Sequence, residues 1–142
     1  MKRHRYLLDT CICAYILRGK YDLNKRVKAI GGLDNCCISE VTIAELKFGK
    51  ILGQMKGGPK YVEQHMEQLI EAVEVLRIKP YFDVYANEKA RLEVAGTPSH
   101  DDFDLLIGCT AVAEGLVMVT QNVKDFKNIK DINIENWIDE QE

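Results

Sequence analysis

The sequence predicts an α/β layered domain with a parallel central sheet. Short apolar runs such as 6–8 and 116–120 alternate with longer segments whose apolar residues recur at helical spacing. Helical segments separate each strand from the next, which is the connection that parallel strands need. Because 142 residues suffice for a single core, and no internal repeat or low-complexity tract is present, we expect residues 1–142 to form one domain.

Each predicted strand is a short, mostly apolar run between polar or glycine-containing segments. The first run lies at the N-terminus, where it suits the central strand of an open sheet, and the most strand-like run is at 116–120. The last strand alternates apolar and polar residues and is expected at a sheet edge. In chain order, the strands are predicted at 5–8, 36–38, 73–78, 116–120 and 132–134.

The predicted helices are bounded by capping residues and glycines. Gly19 can close the first helix, Ser39 can cap the third, and Ser99 can cap the sixth, which Gly115 ends. Three glycines within 53–59 predict a loop. In chain order, the helices are predicted at 10–17, 24–30, 40–52, 60–72, 81–94 and 100–114, with a short helical turn at 123–129.

Composition restricts the class of protein. Hydrophobic residues make up 46% of the chain, which indicates a globular protein, and no apolar run approaches the roughly 18 residues of a membrane span. The five cysteines are an odd number, and no export signal precedes them. We therefore expect a cytoplasmic protein in a reducing compartment, without membrane contact.

Basic residues are concentrated at the start of the chain. Residues 1–30 hold eight Lys or Arg against two Asp, whereas the whole chain has a net charge of −3. A basic segment beside an acidic site suits contact with a polyanion, although a solvated helix face is the alternative. The candidates for such contact are Arg18, Lys25, Arg26 and Lys28.

Three acidic residues stand where the pattern calls for apolar ones. Asp9 directly follows the first strand, at the sheet edge where ligands bind in open α/β folds. Asp104 lies in an apolar helix and has no charged partner one turn on. Glu45 lies on a helical stripe with Val41, Phe48 and Leu52. Each could be a paired core carboxylate. Three such acids without a buried cation would repel one another, so a hard divalent cation is the natural solution.

Polar residues beside the three acids are predicted to have capping or binding roles. The segment from Ser99 to Asp102 fits a capping box, so Asp101 and Asp102 are predicted to be helix caps. Asn122 would stand at the carboxyl end of a strand, where it could hold a metal-bound water or a phosphate. Asp125 is predicted to be a cap or a structural acid.

Four motifs follow one another along the chain: Leu8-Asp9-Thr10, the segment 38–46 with Gly49, the segment 104–113, and 119–122 with Asp125-Phe126. In this order they resemble the PIN-domain ribonucleases, specifically the VapC-type toxins of bacterial type II toxin–antitoxin pairs. The sequence departs from the family pattern at 100–103, where a Gly-Pro or similar pair and then an aromatic are common, and at Asn122, where relatives can carry Asp.

The resemblance implies a three-layer α/β/α fold with a mostly parallel sheet, and Mg²⁺- or Mn²⁺-dependent hydrolysis of RNA phosphodiesters. It implies that Asp9, Glu45 and Asp104 are the catalytic and metal-binding residues, with Asn122 and Thr10 positioning water or phosphate. RNA would then be the polyanion that the basic candidates contact. The family is usually homodimeric and is neutralised by a small antitoxin whose tail covers the active site.

Several other functions are compatible with parts of the sequence. A stand-alone RNA-processing nuclease of the same fold is the nearest alternative. A phosphatase of the haloacid dehalogenase type would need an Asp where Cys11 stands, and a response-regulator receiver would need an acidic pair beside the first strand. A zinc or thiol site is disfavoured because no Cys-x-x-Cys occurs. A non-catalytic binding module would not need three intact acids.

Overall fold

The computed structural model describes residues 5–58 and 61–138, with the backbone alone for 61–64. The predicted first residue of the fourth helix, residue 60, lies outside these ranges. Five strands form one sheet in the order β3-β2-β1-β4-β5, and every neighbouring pair is parallel. The strands are β1 (Tyr6–Leu8), β2 (Cys36–Ser39), β3 (Glu74–Leu76), β4 (Val117–Val119) and β5 (Asn133–Glu135).

The predicted parallel α/β fold is confirmed, and β1 is its central strand. Leu7 pairs with Cys37 of β2 on one side and with Met118 of β4 on the other. Two short 3₁₀ turns, Leu33–Asn35 and Lys79–Tyr81, precede β2 and the fifth helix. The helices are α1 (Thr10–Leu17), α2 (Leu23–Ala29), α3 (Glu40–Met55), α4 (Tyr61–Ala72), α5 (Phe82–Val94), α6 (Asp102–Glu114) and α7 (Val123–Phe126).

Two cores cover the two faces of the sheet. Because successive strand residues point to opposite faces, Leu8 enters one core and Leu7 the other, and both are fully buried. Full burial of each leucine is worth roughly 1.5–3 kcal/mol. Residues of α1, α2 and α4 complete the first core, and residues of α5, α6 and α7 complete the second. These cores give the three layers that were predicted.

Helix α3 is longer than predicted. It continues through Gly53 to Met55, so the predicted loop at 53–59 begins only at Lys56. A glycine inside a helix costs roughly 1 kcal/mol, and α3 continues through Gly53 despite that cost. The glycine with a left-handed backbone is Gly57, at φ 82°, and the amide of Gly58 donates to the Gly53 carbonyl at 2.8 Å.

The start of α6 agrees with the prediction in part. Asp101 is the N-cap, as predicted, whereas Ser99 is not. The Asp101 Oδ1 accepts from the amides of Phe103 at 2.8 Å and Asp104 at 3.2 Å. Asp102 is not a cap. Its Oδ1 accepts from Lys89 Nζ and from the Tyr85 hydroxyl, both at 2.8 Å, which ties α6 to α5.

A glycine sets the distance between α6 and α7. A Cβ atom at Gly108 would clash with the Ile129 side chain and crowd that of Phe126. The close approach brings the segment that follows β4 against α6, and thereby Asp125 near Asp104. Across the described ranges, no helix is both long and apolar enough to cross a membrane.

Candidate active site

Asp9 occupies the carboxyl end of the central strand. It is the N-cap of α1 and is only 3% exposed. Its Oδ1 accepts from the amide of Thr10 at 2.8 Å, and its Oδ2 accepts from the Thr120 hydroxyl at 2.8 Å and the Cys11 thiol at 3.3 Å. Burial raises the pKa of Asp9 above its ordinary value, and these hydrogen bonds oppose the rise.

Thr120 is a site residue that sequence reasoning missed. It is fully buried at the end of β4, beside β1, and its oxygen also accepts from the amide of Asn122 at 3.0 Å. Its place as the last residue of the most strand-like run is the signal that could have identified it, because carboxyl ends of neighbouring parallel strands meet at one edge.

Glu45 projects from α3 toward the same edge and is half-buried. The hydroxyl of Thr10 lies 2.6 Å from Glu45 Oε1 and 3.1 Å from Thr42 Oγ1. A hydroxyl carries one proton, and the shorter of the two contacts shows that Thr10 donates it mainly to the Glu45 carboxylate. Burial, followed by the charges of Asp9 and Asp101, raises the pKa of Glu45, while the Thr10 hydrogen bond lowers it.

The apolar stripe that pointed to Glu45 is only partly buried. Val41 is buried, but Phe48 is 68% exposed and Leu52 is 38% exposed. That part of the prediction is wrong, because the second half of α3 extends beyond the elements that cover its first half. Glu45 faces the site because it meets Thr10 on α1, next to Asp9.

Asp104 lies in the first turn of α6 and is half-buried. In the parts of the chain that the structure describes, no cation pairs with its carboxylate and no group donates a hydrogen bond to it. Burial raises the pKa of Asp104 to about 7, and the charges of Asp9, Asp101, Glu45 and Asp125 add to the rise. Residues from β1, α3 and α6 therefore share one electrostatic environment, as predicted.

Two further acids contribute to this environment. Asp101 caps α6 but also raises the pKa values of Asp104 and Glu45. Asp125 lies exposed on α7, and its charge raises the pKa values of Asp9 and Asp104. The predicted capping role of Asp125 has no support, because the hydrogen bonds of the described residues include none to its carboxylate. Asp102 lies apart and is paired with Lys89.

Asn122 stands where it was predicted, between β4 and α7. It occupies the N-cap position of α7, but its exposed side chain makes no capping hydrogen bond. The structure therefore leaves that amide available, and its role toward water or phosphate stays a prediction. The hydroxyl of Thr10, predicted to have the same role, is instead directed to Glu45.

The acids fit a divalent cation in donor chemistry. Hard cations prefer carboxylate oxygens, and Mg²⁺ needs only one or two carboxylates because it keeps several waters. Within residues 5–58 and 61–138, however, no three acidic, histidine or cysteine side chains are already arranged as a ligand set. Burial is the main cause of the raised pKa values of Asp9, Glu45 and Asp104, and no described Lys or Arg forms an ion pair with these three acids.

Two cavities open beside these acids. The first, of about 500 Å³, lies between α1 and α3 and is lined by Thr10 and Glu45 together with Arg18, Lys20 and Lys50. We call it the α1–α3 groove. The second, of about 570 Å³, lies between the segment 96–101, the start of α6 and α7, and Asp104 lines one side of it. We call it the α6–α7 cavity.

The basic candidates are distributed unevenly around the site. Arg18 lines the α1–α3 groove, whereas Lys25 and Lys28 are exposed on α2 and line neither of the two cavities. Arg26 is turned toward the C-terminal segment, where its guanidinium lies 5.5 Å from the ring centroid of Trp137 and 3.9 Å from Glu135. Lys20 and Lys50 were missed because only the tertiary structure brings α1 and α3 together.

Comparisons with known proteins cover nearly the whole chain. A family model described as PIN domain matches residues 6–132. The ribonuclease VapC2 of Rickettsia felis is 30% identical over 137 residues, which span 93% of this chain and 97% of that protein. The tRNA(fMet)-specific endonuclease VapC of Salmonella typhimurium is 29% identical, over 94% of this chain and 98% of the relative.

A solved structure gives the same result. The crystal structure of DNA-bound VapBC from Salmonella typhimurium aligns with a TM-score of 0.78 at 28% identity, covering 94% of this chain and 98% of the matched chain. The alignment spans nearly the whole chain, so the fold and the relative positions of the site elements are those of a known family.

Proposed function

The chain belongs to the PIN-domain family, and we propose that it is a metal-dependent ribonuclease that serves as the toxin of a type II toxin–antitoxin pair. The observation that carries the proposal is the group of carboxylates at one edge of the sheet, with raised pKa values and no described cationic partner. The relatives named as ribonuclease and tRNA(fMet)-specific endonuclease supply the substrate class, RNA.

We assign the cofactor as Mg²⁺ or Mn²⁺, held by Asp9 and Asp104 with help from Glu45. When bound, the cation supplies charge neutralisation at the scissile phosphate and activates water for attack. The chain supplies the rest. Thr120 and the Thr10 amide fix the Asp9 carboxylate, and the Thr10 hydroxyl orients Glu45, which is placed to accept a proton from the attacking water.

The partners follow from the same family. The solved relative is a VapBC complex, and we assign a small cognate antitoxin to this chain as its regulator. A homodimer and a cytoplasmic location, where RNA is accessible, are parts of the same proposal. A stand-alone RNA-processing nuclease is the second candidate, and a short gene for a DNA-binding protein next to this one would favour the toxin.

A cleavage assay with purified protein tests the proposed function. We expect cleavage of structured RNA, with tRNA(fMet) as the first substrate, in Mg²⁺ or Mn²⁺. Cleavage should stop in EDTA and return when the metal is added back. Asp102→Asn should cleave as wild type does, because Asp102 lies outside the acid group. Cleavage that persists in EDTA, or no cleavage of any structured RNA, would contradict the proposal.

The basic residues that line the α1–α3 groove are predicted to bind RNA. Changing Arg18, Lys20 and Lys50 to Ala should weaken binding to many RNA sequences. The slope of the logarithm of the binding constant against the logarithm of the salt concentration should also become shallower, by roughly 0.7 for each phosphate of single-stranded RNA that the variant no longer neutralises. The matched control changes Lys25, Arg26 and Lys28, three basic residues of α2, and should alter the slope less. Binding is measured by titration without antitoxin. If the α2 variant has the larger effect, the RNA follows α2 rather than the groove.

A further inference from the structure

The α6–α7 cavity takes no part in the chemistry proposed for the acids. It adjoins the acid group, because Asp101, Asp104 and Asp125 line it, and its volume of about 570 Å³ lies within the usual range for small-ligand sites. Two buried side chains, Leu92 and Ile129, line it on the apolar side. If the scissile phosphodiester of an RNA lies at the acids, the nucleoside next to it lies at one of the two cavities.

Several polar side chains around this cavity are unused within the chain. The side chains of Thr97, His100, Lys124 and Asn128 line the cavity and are exposed. In the described ranges, none of these four side chains makes a hydrogen bond or an ion pair. They include donors, an acceptor and an imidazole ring, which are the groups that recognise the edge and face of an unpaired base.

The wall of the cavity is held in place by a separate network. The Glu88 carboxylate accepts from the Lys130 amide at 2.6 Å and from Arg91 at 2.6 and 2.7 Å. Arg91 in turn donates to the Asn128 carbonyl at 2.9 Å, which fixes the backbone that carries the Asn128 side chain. This wall is therefore preformed, and a ligand would bind without ordering it.

We infer that the α6–α7 cavity binds one unpaired nucleoside next to the scissile phosphate and sets the sequence preference of cleavage. The inference rests on the proposed ribonuclease function. In this arrangement the base lies over Leu92 and Ile129, the Asn128 amide pairs with its edge, and the His100 ring stacks on it or pairs with it. Lys124 would attract the RNA backbone, and the carboxylates of Asp101, Asp104 and Asp125 in the same lining favour the uncharged base over a phosphate as the occupant.

The test compares cleavage profiles on an RNA hairpin with a randomised loop. Cut sites are sequenced for the wild type, Asn128→Ala and His100→Ala, with thermal midpoints to verify folding. Lys124→Ala is paired with Lys127→Ala, because Lys127 is an exposed lysine three residues away that does not line the cavity. We expect Asn128→Ala to lower the preference at one position beside the cut by about tenfold, as loss of a base hydrogen bond would. Cleavage of the least favoured sequences should stay within about twofold of the wild-type rate.

Three other results of this test would each contradict a different part of the proposal. An unchanged profile in both cavity variants, or a wild-type profile without preference beside the cut, would overturn the inference and leave the ribonuclease in place. Reduced antitoxin affinity with an unchanged profile would assign the cavity to the protein partner instead. Failure of the wild type to cleave any member of the pool would remove the ribonuclease function and this inference together.

Discussion

Replacing Asp104 with Asn is expected to abolish RNA cleavage while the metal-free protein stays as stable as the wild type or becomes more stable. Asn has the same shape but no charge, so it cannot take part in holding the cation. It also removes a carboxylate whose pKa is raised to about 7 by burial and then by the charges of its acidic neighbours. Loss of activity with retained stability separates a catalytic acid from a structural one.

The stability difference should depend on pH with a defined sign. The pKa of Asp104 in the folded state, about 7, lies above its ordinary value of 3.8, so the folded state binds this proton more tightly than the unfolded state does. The stabilisation of the folded state by protonated Asp104 is fully present below about pH 4 and is lost as the pH rises through 7. Asp104→Asn does not undergo this loss, so its free energy of unfolding should exceed that of the wild type by about 1 kcal/mol at pH 8. The difference is modest because the carboxylate is partly solvated.

Urea unfolding in EDTA at pH 5 and pH 8, paired with RNA cleavage in Mg²⁺, measures both effects. Glu45→Gln should behave in the same way, since its pKa is raised by the same causes. Asp102→Asn is the control, because its carboxylate bonds Lys89 and Tyr85 at the surface and should leave activity intact. An active but destabilised Asp104→Asn protein would reject the catalytic assignment and with it most of the nuclease proposal.

The sequence was sufficient for features that depend on local pattern. The run before Asp9 is too short and too apolar for anything but a buried strand, and its position at the chain start indicated the sheet centre. The spacing from Ser39 predicted the cap of α3, whose hydroxyl accepts from the amide of Val41 at 3.1 Å. For Asp104, the apolar run 103–113 around it was enough to indicate an inward carboxylate.

The sequence was insufficient where a residue's environment is created by a distant segment. Thr120 bonds Asp9 from 111 positions away, and nothing near Thr120 in the chain shows that contact. Phe48 belongs to an apolar helical stripe, yet no described element covers it and it is exposed. The sequence offered Ser99, Asp101 and Asp102 as caps of α6, and the one that caps it, Asp101, depends on backbone angles that spacing alone does not determine.

Replacing Asp9 with Asn should weaken Mn²⁺ binding by about tenfold or more and abolish cleavage. The loss of a full negative charge beside the cation removes its strongest ligand. The fold should survive. The remaining oxygen can still accept from the Thr10 amide, and the Thr120 hydroxyl can turn to accept from the new amide group.

Calorimetry with Mn²⁺ and the thermal shift with added Mn²⁺ measure this loss independently of RNA. A ligand that binds only the folded state adds roughly 2.7 kcal/mol of stability at about a hundred times its dissociation constant. We expect that gain in the wild type and in Asp102→Asn, whereas Asp9→Asn should gain little at the same concentration. Equal Mn²⁺ affinity in the wild type and in Asp9→Asn would exclude Asp9 as a ligand. Asp9 is only 3% exposed. Its buried charge would then serve to hold β4 and α1 together through Thr120 and Thr10.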